Sequence, residues 1–237
     1  MDSKIRETLA SHELLSVIVA GLGHDAGHPG YSQRFLVLTR NIVACKYNDK
    51  SVLENLHCSV IFEILREAES NLFEKFSLTH WVRCRRLIIE LVLATDLNLH
   101  FEVIGKFRSR ALLMQDLNMD VDDDRTIALA LALKCADVGF LAKGIILQKK
   151  WIGLWQEEMF KQGDLEKEYG IGESMYHDRT KENTPKLAAG FLRNITIPMF
   201  EVYTQWLDTR ICKETILSQA EKNLEYWEKL KKTSENN

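Results

Sequence analysis

The densest grouping of side chains able to do chemistry is His24-Asp25-Ala26-Gly27-His28-Pro29-Gly30. It closes an apolar run, so an imidazole and a carboxylate are expected to be partly withdrawn from water. Burial disfavours the charged form of each, raising the carboxyl pKa and lowering that of the imidazole. A divalent cation removes this conflict, because neutral imidazole and ionised carboxylate are both ligands for it. A His-Asp dipeptide by itself more often caps a turn. Asp137, which closes Leu129-Ala-Leu-Ala-Leu-Lys-Cys-Ala-Asp-Val138, changes that balance. A carboxylate in such a run needs a counter-charge. Lys134, three residues earlier, is one choice; a cation shared by His24, Asp25 and Asp137 is the other. A carboxylate that bridges two cations also places a water for activation between them. His24 and His28 stand four apart, like a helical zinc pair, but Gly27 and Pro29-Gly30 interrupt the helix and favour an outer role for His28.

The elements that must hold these groups read as helices. Leu14, Leu15, Val17, Ile18 and Leu22 mark one broad face of a helix running into Gly23-His24-Asp25. Ser51 to Arg66 follows the 3.6-residue period through Val52, Leu53, Leu56, Val60, Ile61, Ile64 and Leu65, with Ser51 or Asp49 as cap. Leu87, Ile88, Leu91, Val92 and Thr95 mark another helix. Ile127 to Leu133 alternates like a strand, yet alanine at every second position predicts a helix buried nearly all round. The acidic run Asp120 to Asp124 would cap it and complement its dipole. That run lacks the glycine and glutamate of a calcium-binding loop. Leu217, Ala220, Leu224 and Trp227 predict an amphipathic helix over 216–230, followed by a polar tail, residues 231–237.

Composition bounds the rest. The chain has 237 residues, with 3 Pro and 12 Gly. That is about half the share of an average chain and points to an all-α fold. No linker, repeat or low-complexity tract divides it, so residues 1–237 are expected to form a single domain. The net charge of −3 offers no basic field for nucleic acid. Five cysteines, odd in number and without CxxC spacing, read as reduced thiols of a cytoplasmic protein. Asp2, Lys4, Arg6 and Glu7 do not suit a signal peptide, and no apolar stretch reaches membrane-spanning length.

Taken together, several motifs resemble the catalytic domain of class I cyclic-nucleotide phosphodiesterases, within the wider HD metal-hydrolase group. They are His24-Asp25-Ala-Gly-His28-Pro29-Gly30, Tyr47-Asn48-Asp49-Lys-Ser51-Val-Leu53-Glu54-Asn55-Leu-His57, Leu93-Ala-Thr95-Asp96, Lys134-Cys-Ala-Asp137 and Phe160-Lys-Gln-Gly163-Asp164. Each alone is weak; in this order, over residues 14 to 230, they are specific. The resemblance implies a compact all-α multi-helix bundle and two divalent metal ions, zinc and magnesium or manganese. It implies that His24, Asp25 and Asp137 are metal ligands, with Asp25 and a bridging hydroxide touching both ions. His28, Glu54 and Thr95 would hold metal-bound waters, with Asp25, Glu54 and His28 in the catalytic set. The substrate would be a cyclic nucleotide, cyclic AMP or cyclic GMP, attacked in line at phosphorus.

The resemblance also has departures. The family's earlier motif, His-Asn-x-x-His-x-x-Asp-Val, has no counterpart before His24. In the family that motif supplies the general acid for the leaving oxygen and a fourth zinc ligand. The N-terminal helices are therefore expected to be missing, and this chain alone is not expected to be active. Another segment or partner chain would supply them; the alternatives are a non-catalytic scaffold or regulatory subunit, or a phosphohydrolase with another substrate. In the base pocket Phe191 keeps the stacking ring, while Ala188 takes the place of the purine-binding glutamine. Trp155 takes the place of the aliphatic clamp, and Phe140 that of a polar residue three beyond Asp137; Leu97 also falls in this substrate-binding set. Phe191 and Trp155 either sandwich a ring or pack on each other.

Overall fold

The computed structural model describes residue 5 and residues 7–115, 117–181 and 184–235. Asp2, Lys4 and Arg6 of the N-terminal reading, and the last two residues of the tail, lie outside the described residues. Those described form helices joined by turns, without a strand among them, as the breaker-poor sequence predicts. None of these helices is long and apolar enough to cross a membrane. The chain divides into two compact units, Met1–Lys134 and Cys135–Asn237, and the division falls inside a helix rather than at a linker.

The first unit holds α1 (Ser11–Gly23), α2 (Gln33–Leu38), α3 (Ile42–Lys46), α4 (Val52–Ile64), α5 (Leu78–Leu93), α6 (His100–Arg108) and most of α7 (Asp122–Asp137). Helix α5 is the central packing element, lying against α1 and α4. Leu87, Ile88, Leu91, Val92 and Thr95 are all buried, as their spacing predicts. Helix α1 turns differently from expectation. Its buried residues are Ser16, Val19 and Ala20, while Leu14 and Ile18 are exposed and Leu22 is 86% exposed. Small side chains let α1 approach its neighbours closely. A β-carbon on Gly23 would lie 2.6 Å from Ile61 Cγ1 of α4, so the small face is inward although the other face is more apolar.

Helix α7 buries Ala128, Leu129, Ala130, Leu131 and Leu133, as a helix apolar on all sides must. Its acidic start is held by arginines: Asp123 by Arg86, Asp122 by Arg125 and buried Asp124 by Arg110. Asp124 also accepts a hydrogen bond from the Asn118 amide.

The second unit holds α8 (Ile145–Tyr169), α9 (Thr184–Phe191), α10 (Ile197–Leu207), α11 (Arg210–Cys212) and α12 (Ser218–Glu235). Ala220 and Trp227 of α12 are buried, and the helix packs on α9. It continues through Lys231 and Lys232 to Glu235, where the sequence predicts a tail. Buried Gln148 of α8 donates to the Leu141 carbonyl and accepts from the Trp227 indole. Asn223 of α12 donates to the Leu141 and Lys143 carbonyls. Gly163 lies where the 171–178 loop crosses α8: a β-carbon there would meet the His177 carbonyl oxygen at 2.0 Å.

Candidate active site

In the first unit the end of α1 and the middle of α4 bring His24, Asp25, His28 and His57 together. Helix α1 ends at Gly23, and Gly27 takes φ +73° beside Val60, where a β-carbon would be 3.0 Å from Cγ2. Two glycines therefore let the His24–His28 turn lie close on α4. The His24–Asp25 pair is not buried as its apolar approach predicts. Asp25 is 62% exposed and His24 22%, because the helix has ended and the turn stands at the surface.

Hydrogen bonds assign the ring protons. His24 Nδ1 lies 2.9 Å from the Gly21 carbonyl oxygen, and His57 Nδ1 lies 2.8 Å from that of Ala26. A carbonyl only accepts, so each Nδ1 carries a proton and each neutral ring presents a lone pair at Nε2. His28 is the reverse: its Nδ1 accepts the Gly30 N–H at 3.0 Å, so its neutral ring carries the proton at Nε2. His57 stacks on His28, with centroids 5.6 Å apart.

Both lone pairs face the Asp25 carboxylate. His24 Nε2 is 3.4 Å from Oδ2, and His57 Nε2 is 3.7 Å from Oδ1. His57 is buried, and burial holds its pKa below the usual imidazole range, which favours the neutral ring. Acceptors then face acceptors, an arrangement that calls for a cation. Two ligand atoms each about 2.1 Å from one tetrahedral ion are themselves about 3.4 Å apart. The donor set and its spacing thus fit a divalent metal.

Glu54 stands one turn before His57 on α4. Its Oε2 is buried with no hydrogen-bond partner. Burial pushes its pKa up to about 7, with Asp96 adding to the rise and Lys134 opposing it. Thr95 is buried, and its hydroxyl donates to the Val92 carbonyl at 2.7 Å. Leu97 is exposed. Asp96 is buried; its Oδ2 accepts from Ser51 Oγ at 2.8 Å and its Oδ1 from the Asn98 amide. Ser51 is the residue before α4, as its cap reading requires, but its hydroxyl reaches Asp96 rather than the helix amides. The Lys134 ammonium donates to three carbonyls, those of Ala94, Thr95 and Asp96.

The remaining sequence-derived residues belong to the second unit. Asp137 is the last residue of α7 and is half-buried rather than buried. Phe140 is half-buried and touches Trp151. Trp155 and Phe191 meet edge to face with centroids 5.3 Å apart, so no ring lies between them in this arrangement. Ala188 is fully buried. The Phe160–Asp164 motif does packing work: Asp164 pairs with Arg179, and Gly163 admits the crossing loop.

Asp96, Ser51 and Lys134 enlarge the site beyond the residues assigned from sequence, and His57, the last residue of the Tyr47–His57 motif, is brought against Asp25. For His57 a signal was present, since it lies three residues after Glu54 on one helix face. The roles of Asp96 and Lys134 depend on contacts between distant segments.

The family model described as 3'5'-cyclic nucleotide phosphodiesterase matches residues 1–217. The chain belongs to that family. It is 30% identical over 227 residues to the mouse high affinity cGMP-specific 3',5'-cyclic phosphodiesterase 9A, covering 96% of this chain and 42% of that protein. It is 35% identical over 196 residues to the human dual specificity calcium/calmodulin-dependent 3',5'-cyclic nucleotide phosphodiesterase 1B, covering 83% of this chain and 35% of that one. A cGMP-specific 3',5'-cyclic phosphodiesterase gamma of Plasmodium yoelii is 31% identical over 225 residues, covering 94% of this chain and 28% of that protein. The chain thus spans about two fifths or less of the length of these relatives.

Proposed function

We propose that this chain hydrolyses 3',5'-cyclic nucleotides, cyclic AMP or cyclic GMP, to 5'-nucleotides with two divalent cations, zinc and magnesium or manganese. One observation carries the reading: two imidazole lone pairs face one carboxylate at the spacing of ligands on a shared ion. His24 and Asp25, with Asp137, would hold the metal, and His57 completes the donor set around Asp25. When bound, such cations supply Lewis acidity and a water ionised near neutral pH.

The chain's own groups do the rest. Glu54, titrating near neutrality, can take a proton from water and return it. His28 offers an Nε2 proton at the exposed face of the site, suited to hold a phosphate oxygen or water. Thr95 would belong to the same shell, as the family resemblance implies. Phe191, Trp155, Phe140 and Ala188 of the second unit, and Leu97 of the first, are the substrate-binding residues the resemblance implies, and a base stacks between Trp155 and Phe191 only once their contact opens. An intracellular location belongs to the same reading, which is in keeping with five cysteines that form no disulfide among the described residues.

The test is turnover of cyclic AMP and cyclic GMP by the purified chain, with zinc and magnesium and with chelator. Metal-dependent release of 5'-nucleotide, lost in Asp25→Asn, is the expected result. Metal binding without turnover would instead support a non-catalytic, regulatory role. The closed Trp155–Phe191 contact and the buried Ala188 favour that second reading.

A further inference from the structure

The first unit contains a buried cation that the chemistry above does not use. Lys134 is 1% exposed, and an ammonium in such a place is costly unless each of its protons is bonded. Its three protons match three carbonyl oxygens, Ala94 and Thr95 at 3.0 Å and Asp96 at 3.1 Å. These carbonyls follow the end of α5, where a helix leaves acceptors unbonded and favours positive charge. Lys134 therefore ties α7 to the turn after α5. That turn continues the connection. Asp96, itself buried, accepts the Ser51 hydroxyl proton at 2.8 Å. Ser51 has φ +41° and its carbonyl accepts the Asn55 amide at 2.9 Å, opening α4. Gln33 holds the next amide, that of Val52, at 2.8 Å. Glu54 lies in this first turn.

We infer that Lys134 is a positioning residue: through Asp96 and Ser51 it sets the first turn of α4 and so the placement of Glu54. The inference rests on the proposed catalytic role of Glu54 only for its functional consequence. A lysine needed merely to fill space would affect α5, α7 and overall stability. A lysine acting through this chain of bonds must also change α4, whose connection to it runs through Asp96.

Amide hydrogen exchange on the full chain separates the two. Lys134→Met, similar in length but without charge or donors, is expected to speed exchange at residues 52–57 about tenfold beyond any uniform rise. Ser51→Ala, which removes the link at its far end, should reproduce this change while leaving residues 91–96 protected. The double variant should add little at 52–57, because both changes break one chain. If Lys134→Met does not fold, Ser51→Ala and Asp96→Asn decide the matter. Exchange at 52–57 unchanged in Ser51→Ala, or raised in Lys134→Met only in step with the whole chain, overturns the inference. Where the wild type turns over cyclic nucleotide, Ser51→Ala should lower kcat with KM nearly unchanged. A wild type without turnover would count against the catalytic reading alone, since exchange does not depend on it.

Discussion

The ring nitrogens of His24, His57 and His28 carry opposite protons because their backbone partners differ: two carbonyl oxygens accept, while one amide donates. Removing the buried ring in His57→Ala is expected to weaken zinc binding about 10- to 100-fold, measured by competition with a chromophoric chelator. His28→Ala should change that affinity far less, since its neutral Nε2 carries a proton. Glu54 gives a pH-dependent signature in the metal-free chain. Its folded pKa of about 7 lies above the ordinary value of 4.5. The folded state therefore binds more protons between those values, and its stability falls as pH rises from about 4.5 to 7. Denaturant titrations should show a loss of order 2 kcal/mol, after allowance for the partial exposure of the residue. Glu54→Gln should flatten this dependence.

At the scale of elements, glycines decide which surfaces meet. Gly163→Ala should cost about 3 kcal/mol or more, because the 2.0 Å obstacle is the His177 backbone and cannot swing aside. Thermal unfolding measures that loss. Gly23→Ala is milder, since its obstacle is the Ile61 side chain; about 1–3 kcal/mol is expected. Helix positions were legible from periodicity: α4 and α12 lie within a few residues of their predicted spans and α7 contains its predicted stretch, whereas α5 begins at Leu78, well before Leu87, the first residue the period marked. The inward face of α1 was not legible. Hydrophobicity favours Leu14, Ile18 and Leu22, whereas close approach to α5 and α4 selects Ser16, Ala20 and Gly23. In α12 the polar residues 231–235 extend a helix whose apolar face had already ended, because lysine and glutamate propagate a helix already formed.

For the whole molecule, a metal that binds only the folded state should stabilise it. Zinc at a hundredfold excess over its Kd is expected to add about 2.7 kcal/mol, seen as a rise in Tm that chelator reverses and Asp25→Asn abolishes. The sequence by itself determined the helical class, the family and the main ligand candidates, because each follows from local composition or from motifs in a fixed order. It did not show the boundary between the two units, which falls inside α7 where no linker composition marks it. Nor did it show that Asp25 is exposed, that His57 faces it, or that Lys134 binds three carbonyls some forty residues away in sequence. These depend on which helix faces touch and on where each proton finds an acceptor. Only the tertiary structure settles both, because desolvation and hydrogen bonding act between segments that the linear pattern leaves apart.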